Sequence, residues 1–132
     1  MEPRRHWPLA SAALDSLRVL LTSSTTTRED LEAWIWTHTA RTRRRELQLL
    51  HALVDASGDA LAGSVTQDVR FWRPEFEHGS SAAAKLSSRL VAAHLNADAP
   101  MVDALTATWV SSSAEERGDV VRELIGAIVH RR

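Results

Sequence analysis

The stretch "SSSAEERGDVVRELIGAIVHRR", residues 111–132, shows most clearly which fold class this chain belongs to. Ser112 and Ser113 are each followed three residues later by a glutamate, which is the spacing of two overlapping capping boxes at the start of a helix. Apolar residues then recur at helical spacing: Val120, Val121, Leu124, Ile125, Ile128 and Val129. Three basic side chains, 130–132, complement the negative end of a helix dipole. The stretch therefore predicts an amphipathic helix.

The rest of the chain has the same helical periodicity, and no stretch alternates like a half-buried strand. We predict an all-α fold, a compact bundle of five or six helices with short connections, and a single helical domain over residues 1–132. The length and a hydrophobic share of 44% are sufficient for one buried core.

The first two helices are predicted from turn and cap residues. Pro8 fits the first turn of helix one, which ends at the polar run 22–27. Its predicted apolar side consists of Leu14, Leu17, Val19, Leu20 and Leu21. Thr26 and Thr27 are candidate caps for helix two, with Glu29 and Asp30 completing the capping boxes.

The central part of the chain carries the strongest break signal, "DASGD" at 55–59, where Gly58 suits a left-handed helix end. A third helix is then expected to begin at Asp59 or Ser64 and to include Trp72, and Pro74 stops it.

A loop over 73–81 follows, and Ser80 or Ser81 caps the fourth helix, which ends near Asn96. Asp98 caps the fifth helix, and Pro100 lies in its first turn. The apolar residues predicted for this fifth helix are Met101, Val102, Leu105 and Trp109.

Composition excludes several classes of function. The sequence has no cysteine, so disulfides, thiolate catalysis and cysteine-ligated metals are excluded. The formal net charge is −1, so attraction to nucleic acid or to an acidic membrane must come from a local patch. No window approaches the roughly 20 apolar residues needed to span a bilayer. We expect a cytoplasmic protein that has no cofactor and does not bind a membrane.

The segment "WIWTHTARTRRREL", residues 34–47, is the main candidate for a binding surface. Trp34 and Ile35 belong to a buried stripe, whereas Trp36 falls well off it. Four arginines follow: Arg41, Arg43, Arg44 and Arg45. An exposed tryptophan beside arginines is the composition of an interface hot spot, although a second helix packed on the other side would also bury Trp36.

The arginines have three competing interpretations. They can form a solvated face paired with Glu46, and also with Glu29 and Glu32; they can bind a protein; or they can contact the phosphates of a nucleic acid. A standard helix-turn-helix is rejected, because the position that must pack inward in its second helix would fall on Arg43, Arg44 or Arg45.

The histidines and acids carry a weaker alternative. His38, His51 and His94 lie near apolar stripes, where a partly buried, hydrogen-bonded histidine is expected. A metal site or an enzyme centre would use Glu75, Glu77 and His78, with His94 as a further candidate, but no metal-ligand spacing or nucleophile motif is present. We therefore predict no catalytic, cofactor-binding or metal-binding residues.

The function expected from the sequence is that of a non-enzymatic helical protein-protein interaction module, an adaptor or assembly subunit. Its partner is another protein or a second copy of the chain, bound through Trp36, Arg41, Arg43, Arg44 and Arg45. The alternative is a small nucleic-acid-binding or regulatory protein that contacts phosphates through residues 41–45.

Overall fold

A computed structural model describes residues 8–39, 42–64, 71–74 and 79–130. These residues form six α-helices and no β-strand, which confirms the all-α prediction of five or six helices. The helices are α1 (Ser11–Thr22), α2 (Arg28–Thr39), α3 (Arg43–Gly63), α4 (Ala82–Leu95), α5 (Ala99–Ser111) and α6 (Ala114–His130). Within the described ranges, none of them is both long and apolar enough to cross a membrane.

The chain divides into two compact units, Met1–Ala52 and Leu53–Arg132. The first contains α1, α2 and the beginning of α3, and the second contains the rest of α3 with α4, α5 and α6. A single domain over residues 1–132 stays a prediction.

In the first unit, α1 and α2 pack through one stripe each. Ala13 and Leu17 of α1 are buried one turn apart, and Trp34 and Ile35 of α2 are buried side by side. The indole Nε1 of Trp34 donates a hydrogen bond of 2.9 Å to Ser16 Oγ, so the only polar atom of this ring has a partner. The predicted core position of Trp34 and Ile35 is confirmed.

The start of α2 is fixed by one of the two predicted capping boxes. Thr27 Oγ1 accepts from the Asp30 backbone N–H at 3.2 Å, and Asp30 Oδ2 accepts from the Thr27 N–H at 2.9 Å. The second predicted pair, Thr26 with Glu29, does not form, and the Glu29 side chain is exposed.

In the second unit, α6 provides the largest buried stripe. All but one of the residues predicted to point inward are buried in this helix. The buried residues are Val120, Val121, Leu124, Ile125 and Ile128. Val129 is the exception and is exposed. The capping box between Ser113 and Glu116 forms in both directions, at 3.1 and 3.4 Å. Ser112 does not cap α6, since its hydroxyl donates to the Thr108 carbonyl instead.

The predicted break at 55–59 is wrong, because α3 continues through it to Gly63. Gly58 is not a helix end but a point of close approach to α4. A Cβ atom at Gly58 would lie 3.1 Å from His94 Cδ2 and 3.2 Å from Leu95 Cδ2. The neighbouring Ser57 is buried, and its hydroxyl donates to the Leu124 carbonyl of α6 at 3.0 Å.

The predicted third helix is also wrong in the part that the structure describes. Its first residues belong to α3, residues 65–70 lie outside the described residues, and residues 71–74 are not helical. Here the side-chain amide of Asn96 holds Trp72 by two hydrogen bonds of 2.7 Å, one to its backbone N–H and one to its carbonyl. This pairing replaces the helical backbone bonds that the sequence suggested.

The remaining boundaries of α4 and α5 are as predicted. Ser81 caps α4 by accepting from the Ala84 N–H, and Asn96 ends that helix. Asp98 caps α5, whose first turn contains Pro100.

Besides Val129, three residues lie where the sequence did not predict them. Pro8 precedes α1, which begins at Ser11, and Val19 and Met101 are exposed where an inward position was expected. Val19 lies two residues from buried Leu17, and such a step turns about 200° around a helix, so the two side chains point to opposite sides.

Candidate functional site

Trp36 is the most exposed tryptophan among the described residues, with 71% of its surface accessible. It lies in α2 two residues after buried Trp34, so the two indoles point to opposite sides of the helix. Trp34 packs against His38, with a ring centroid distance of 4.7 Å. The question that the sequence left open is answered: the described helices do not cover Trp36.

Three arginines of the predicted site lie at the start of α3. Arg43, Arg44 and Arg45 are exposed, and they occupy the first three positions of the helix. Thr42 precedes them, and its hydroxyl accepts from the Arg45 backbone N–H at 3.4 Å. Arg41, the fourth predicted arginine, lies outside the described residues.

The exposure of Arg43, Arg44 and Arg45 agrees with the interpretation of a solvated face, although these three side chains do not form the predicted local ion pairs with other described residues. Within the described part of the chain, no hydrogen bond or ion pair involves the side chains of Arg43, Arg44 and Arg45. Glu46, the nearest acid in sequence, is buried. We use "Trp36–arginine surface" for the set Trp36, Arg43, Arg44 and Arg45.

The electrostatics of this surface are unfavourable for the isolated chain. The first turn of a helix carries a partial positive charge, and a cation placed there loses about 0.3–1 kcal/mol relative to a favourable placement. Arg43, Arg44 and Arg45 are consecutive, so their side chains point in different directions around the start of the helix. An anionic group brought to this end of α3 would be favoured by the helix dipole and by the three cations.

The two parts of the Trp36–arginine surface are close in the chain. Trp36 precedes the end of α2 at Thr39 by one turn, and α3 begins four residues later at Arg43. A chain of this length places the Cα atoms of Trp36 and Arg43 within about 20 Å of each other.

The alternative metal or enzyme site is not assembled by the described residues. Glu75, Glu77 and His78 lie outside them, and within them no group of three or more histidines, aspartates or glutamates is placed to hold a metal ion. The remaining candidate, His94, has Nε2 at 3.1 Å from Asp55 Oδ1. This half-buried pair joins α3 to α4 beside the close approach at Gly58.

Two features escaped the sequence interpretation. Phe71 is exposed beside Trp72, although it had no assigned role. Glu29 was assigned to a capping box but is exposed on α2, two turns before Trp36. The seven-residue spacing from Glu29 to Trp36 was a readable signal, because such residues share one side of a helix.

Comparison of the chain with protein-family models, with curated proteins and with solved structures finds no match.

Proposed function

We propose that this protein is a non-enzymatic interaction module that binds another polypeptide through the Trp36–arginine surface. The observation that carries the proposal is the 71% exposure of Trp36. Tryptophan and arginine are among the side chains most enriched at the positions that dominate binding energy in protein interfaces. A large aromatic ring left in water gains free energy when a partner covers it, at roughly 25 cal/mol per Å² of apolar surface.

The unpaired arginines support the same proposal. A partner that offers carboxylates can form charge-assisted hydrogen bonds with the planar guanidinium groups of Arg43, Arg44 and Arg45. Binding of carboxylates would also offset the unfavourable placement of these cations at the positive end of α3, so the arginines favour the bound state over the free one.

Nucleic acid is a less suitable partner for this surface. Duplex binders that make six to ten phosphate contacts depend on many cations, whereas the described part of this surface offers three, Arg43–Arg45. The exposed carboxylate of Glu29 also lies on the Trp36 side of α2, where it would repel a phosphate backbone.

The proposal is tested by placing a photo-crosslinking amino acid, p-benzoylphenylalanine, at position 36 in cells that produce the protein. Position 19 is the matched control, because Val19 is an apolar helical residue with a similar exposure of 68%. We expect discrete crosslinked species from position 36 and none in comparable yield from position 19. Equal yields from the two positions, or no crosslink to any polypeptide from position 36, would overturn the proposal.

A further inference from the structure

One side of α2 carries an exposed aromatic ring and an exposed carboxylate. Glu29 lies seven residues before Trp36, which is nearly two full turns, so the two side chains leave the helix in almost the same direction. Their Cα atoms are about 10 Å apart along the helix axis. Both side chains are exposed. Because the two residues belong to one regular helix, their relative placement depends on helical geometry alone.

The residue between them leaves the space open. Ala33 lies three residues before Trp36 on the same side of α2, and it is exposed. Its methyl group fills little of the space between the indole and the carboxylate. The side chain of Trp36 extends into this space, since side chains of a helix point towards its N-terminus and cover the preceding turn. A long side chain of another molecule can therefore lie over Ala33 and contact both groups.

The carboxylate of Glu29 forms no hydrogen bond or ion pair with another described residue. The other acids of α2 are already engaged. Asp30 accepts from the Thr27 N–H in the capping box, and Glu32 is half-buried and interacts within the chain. Arg28 precedes Glu29 but projects about 100° away around the helix. Glu29 is therefore the acid on the Trp36 side of α2 that a partner can reach.

An indole beside a carboxylate is suited to a cation. The face of an indole attracts a cation within about 6 Å of the ring centre, and a carboxylate accepts charge-assisted hydrogen bonds. Arginine suits this pair better than lysine, because its planar guanidinium group can stack on the ring while its N–H groups point towards the carboxylate. The helix α2 also carries three carboxylates against one arginine, so its own charge favours a basic ligand.

We propose that this side of α2 binds an arginine side chain of the partner polypeptide. The guanidinium group lies over Ala33, stacked on the indole of Trp36 and hydrogen-bonded to the carboxylate of Glu29. This inference rests on the proposed function, since it names the residue of the partner that Trp36 contacts. The site consists of α2 residues alone, so it does not depend on the direction of the arginines at the start of α3.

Other occupants match this side of α2 less well. A nucleic acid or an acidic segment would bring negative charge against Glu29. A purely apolar side chain would cover the indole, but it would remove water from the carboxylate without offering a hydrogen bond. An arginine covers the ring and satisfies the carboxylate together.

The experiment titrates the protein with short synthetic peptides and follows the backbone amide signals by two-dimensional NMR. The probes are three peptides of equal length, in which glycine alternates with arginine, with lysine or with glutamate. Concentrations extend to about 10 mM, a range that brackets millimolar dissociation constants. We expect the arginine peptide to shift the signals of residues 29–37 and to bind at least about twofold more tightly than the lysine peptide, because only a guanidinium group can stack and donate in one plane.

Two variants separate the contribution of the ring from that of the carboxylate. Trp36→Leu keeps an apolar side chain but removes the aromatic face, and Glu29→Gln keeps the shape but removes the charge. Each should weaken binding of the arginine peptide about two- to fivefold, as expected for an exposed cation–π contact and an exposed ion pair. Glu123→Gln, which neutralises an exposed acid of α6, is the matched control and should bind normally.

Reversal of the charge excludes misfolding as the cause of lost binding. Glu29→Arg should no longer bind the arginine peptide, and at residues 29–37 it should bind the glutamate peptide more tightly than the unchanged protein does. An unfolded variant cannot give this exchange of preference. Circular dichroism verifies that all variants keep their helix content.

Each contrary result has a distinct meaning. Equal affinity for the arginine and lysine peptides overturns the stacked guanidinium group. Shifts confined to residues outside α2, or unchanged affinity in Trp36→Leu and Glu29→Gln, overturn the site. Binding of the glutamate peptide to residues 29–37 of the unchanged protein overturns the basic ligand. A position-36 crosslink to a polypeptide would still support the proposed function in these cases, whereas absence of that crosslink overturns the proposed function whether or not α2 binds the arginine peptide.

Discussion

Two tryptophans of α2 show how position decides the role of one residue type. Trp34 is buried and hydrogen-bonded to Ser16, whereas Trp36 is largely in water. Both side chains carry the same apolar area, so burial of Trp34 stabilises the first unit and exposure of Trp36 contributes little to its stability. A tryptophan that does not stabilise the fold is available for binding.

Substitution of each tryptophan should separate stability from association. Trp34→Ala should lower the free energy of unfolding by about 3–5 kcal/mol, since it removes a buried indole and leaves a cavity. Trp36→Ala should change it by less than about 0.5 kcal/mol, as expected at a surface position. Urea unfolding followed by circular dichroism measures both. A loss at Trp36 as large as that at Trp34 would mean that its indole is covered in the free chain.

The sequence could predict the direction of Trp36 but not its exposure. Spacing alone places Trp34 and Ile35 on one side of a helix and Trp36 on another. Whether another helix covers the second side depends on contacts between residues distant in sequence, which periodicity does not contain. The sequence could not predict ion pairs of Arg43, Arg44 and Arg45 for the same reason. Glu46 is their neighbour in sequence, but its burial depends on how the helices pack.

At the scale of helices, helix starts could be predicted from capping residues, whereas contacts between helices could not. The capping boxes of α2 and α6 were predictable because each involves residues three positions apart, Thr27 with Asp30 and Ser113 with Glu116. Gly58 was misread because a glycine suits both a helix end and a close helix–helix contact. The second use depends on residues 94 and 95 in another helix.

Two glycine substitutions test the contact between α3 and α4. Gly126→Ala in α6 should stabilise the protein by about 0.5–1 kcal/mol, since alanine favours the helix and its Cβ would meet nothing within 4 Å. Gly58→Ala should instead lower the free energy of unfolding by about 1–3 kcal/mol, because the added Cβ overpacks the contact between α3 and α4. The added Cβ would press on His94, whose ring is held by Asp55 and cannot easily move.

Thermal unfolding of the two glycine variants under one buffer condition measures the difference. A Gly58→Ala variant as stable as Gly126→Ala would show that the two helices can separate by a few tenths of an ångström at little cost.

At the scale of the whole molecule, charge is distributed unevenly along the chain. Residues 1–52 contain eight arginines against six carboxylates, and residues 53–132 contain eight basic residues against eleven carboxylates. The net charge of −1 therefore conceals a basic first unit, whose excess is concentrated in residues 41–45. Arg43, Arg44 and Arg45 lie exposed in the first turn of α3, at its positive end, where the helix dipole disfavours cations.

The arginine cluster should therefore oppose stability while supporting association. In the variant Arg43→Glu, Arg44→Glu, two acids replace two cations in the first turn of α3, where the helix dipole favours them. We expect an increase of about 1 kcal/mol in the free energy of unfolding of the monomer, and hence a melting temperature higher by about 3–6 °C for a chain of this size. Binding of the proposed polypeptide partner should be weakened in the same variant.

The measurement must keep the two effects apart, because binding of a partner itself raises the apparent stability of the folded state. Melting is therefore recorded on the purified protein without a partner and at several concentrations, because a melting temperature that changes with concentration reveals self-association. Arg43→Gln, Arg44→Gln is the control and should give an intermediate gain, since it removes the positive charge without adding a negative one. A lower melting temperature for both variants would show that these arginines stabilise the free chain, and their unfavourable placement would then no longer be an argument for a partner.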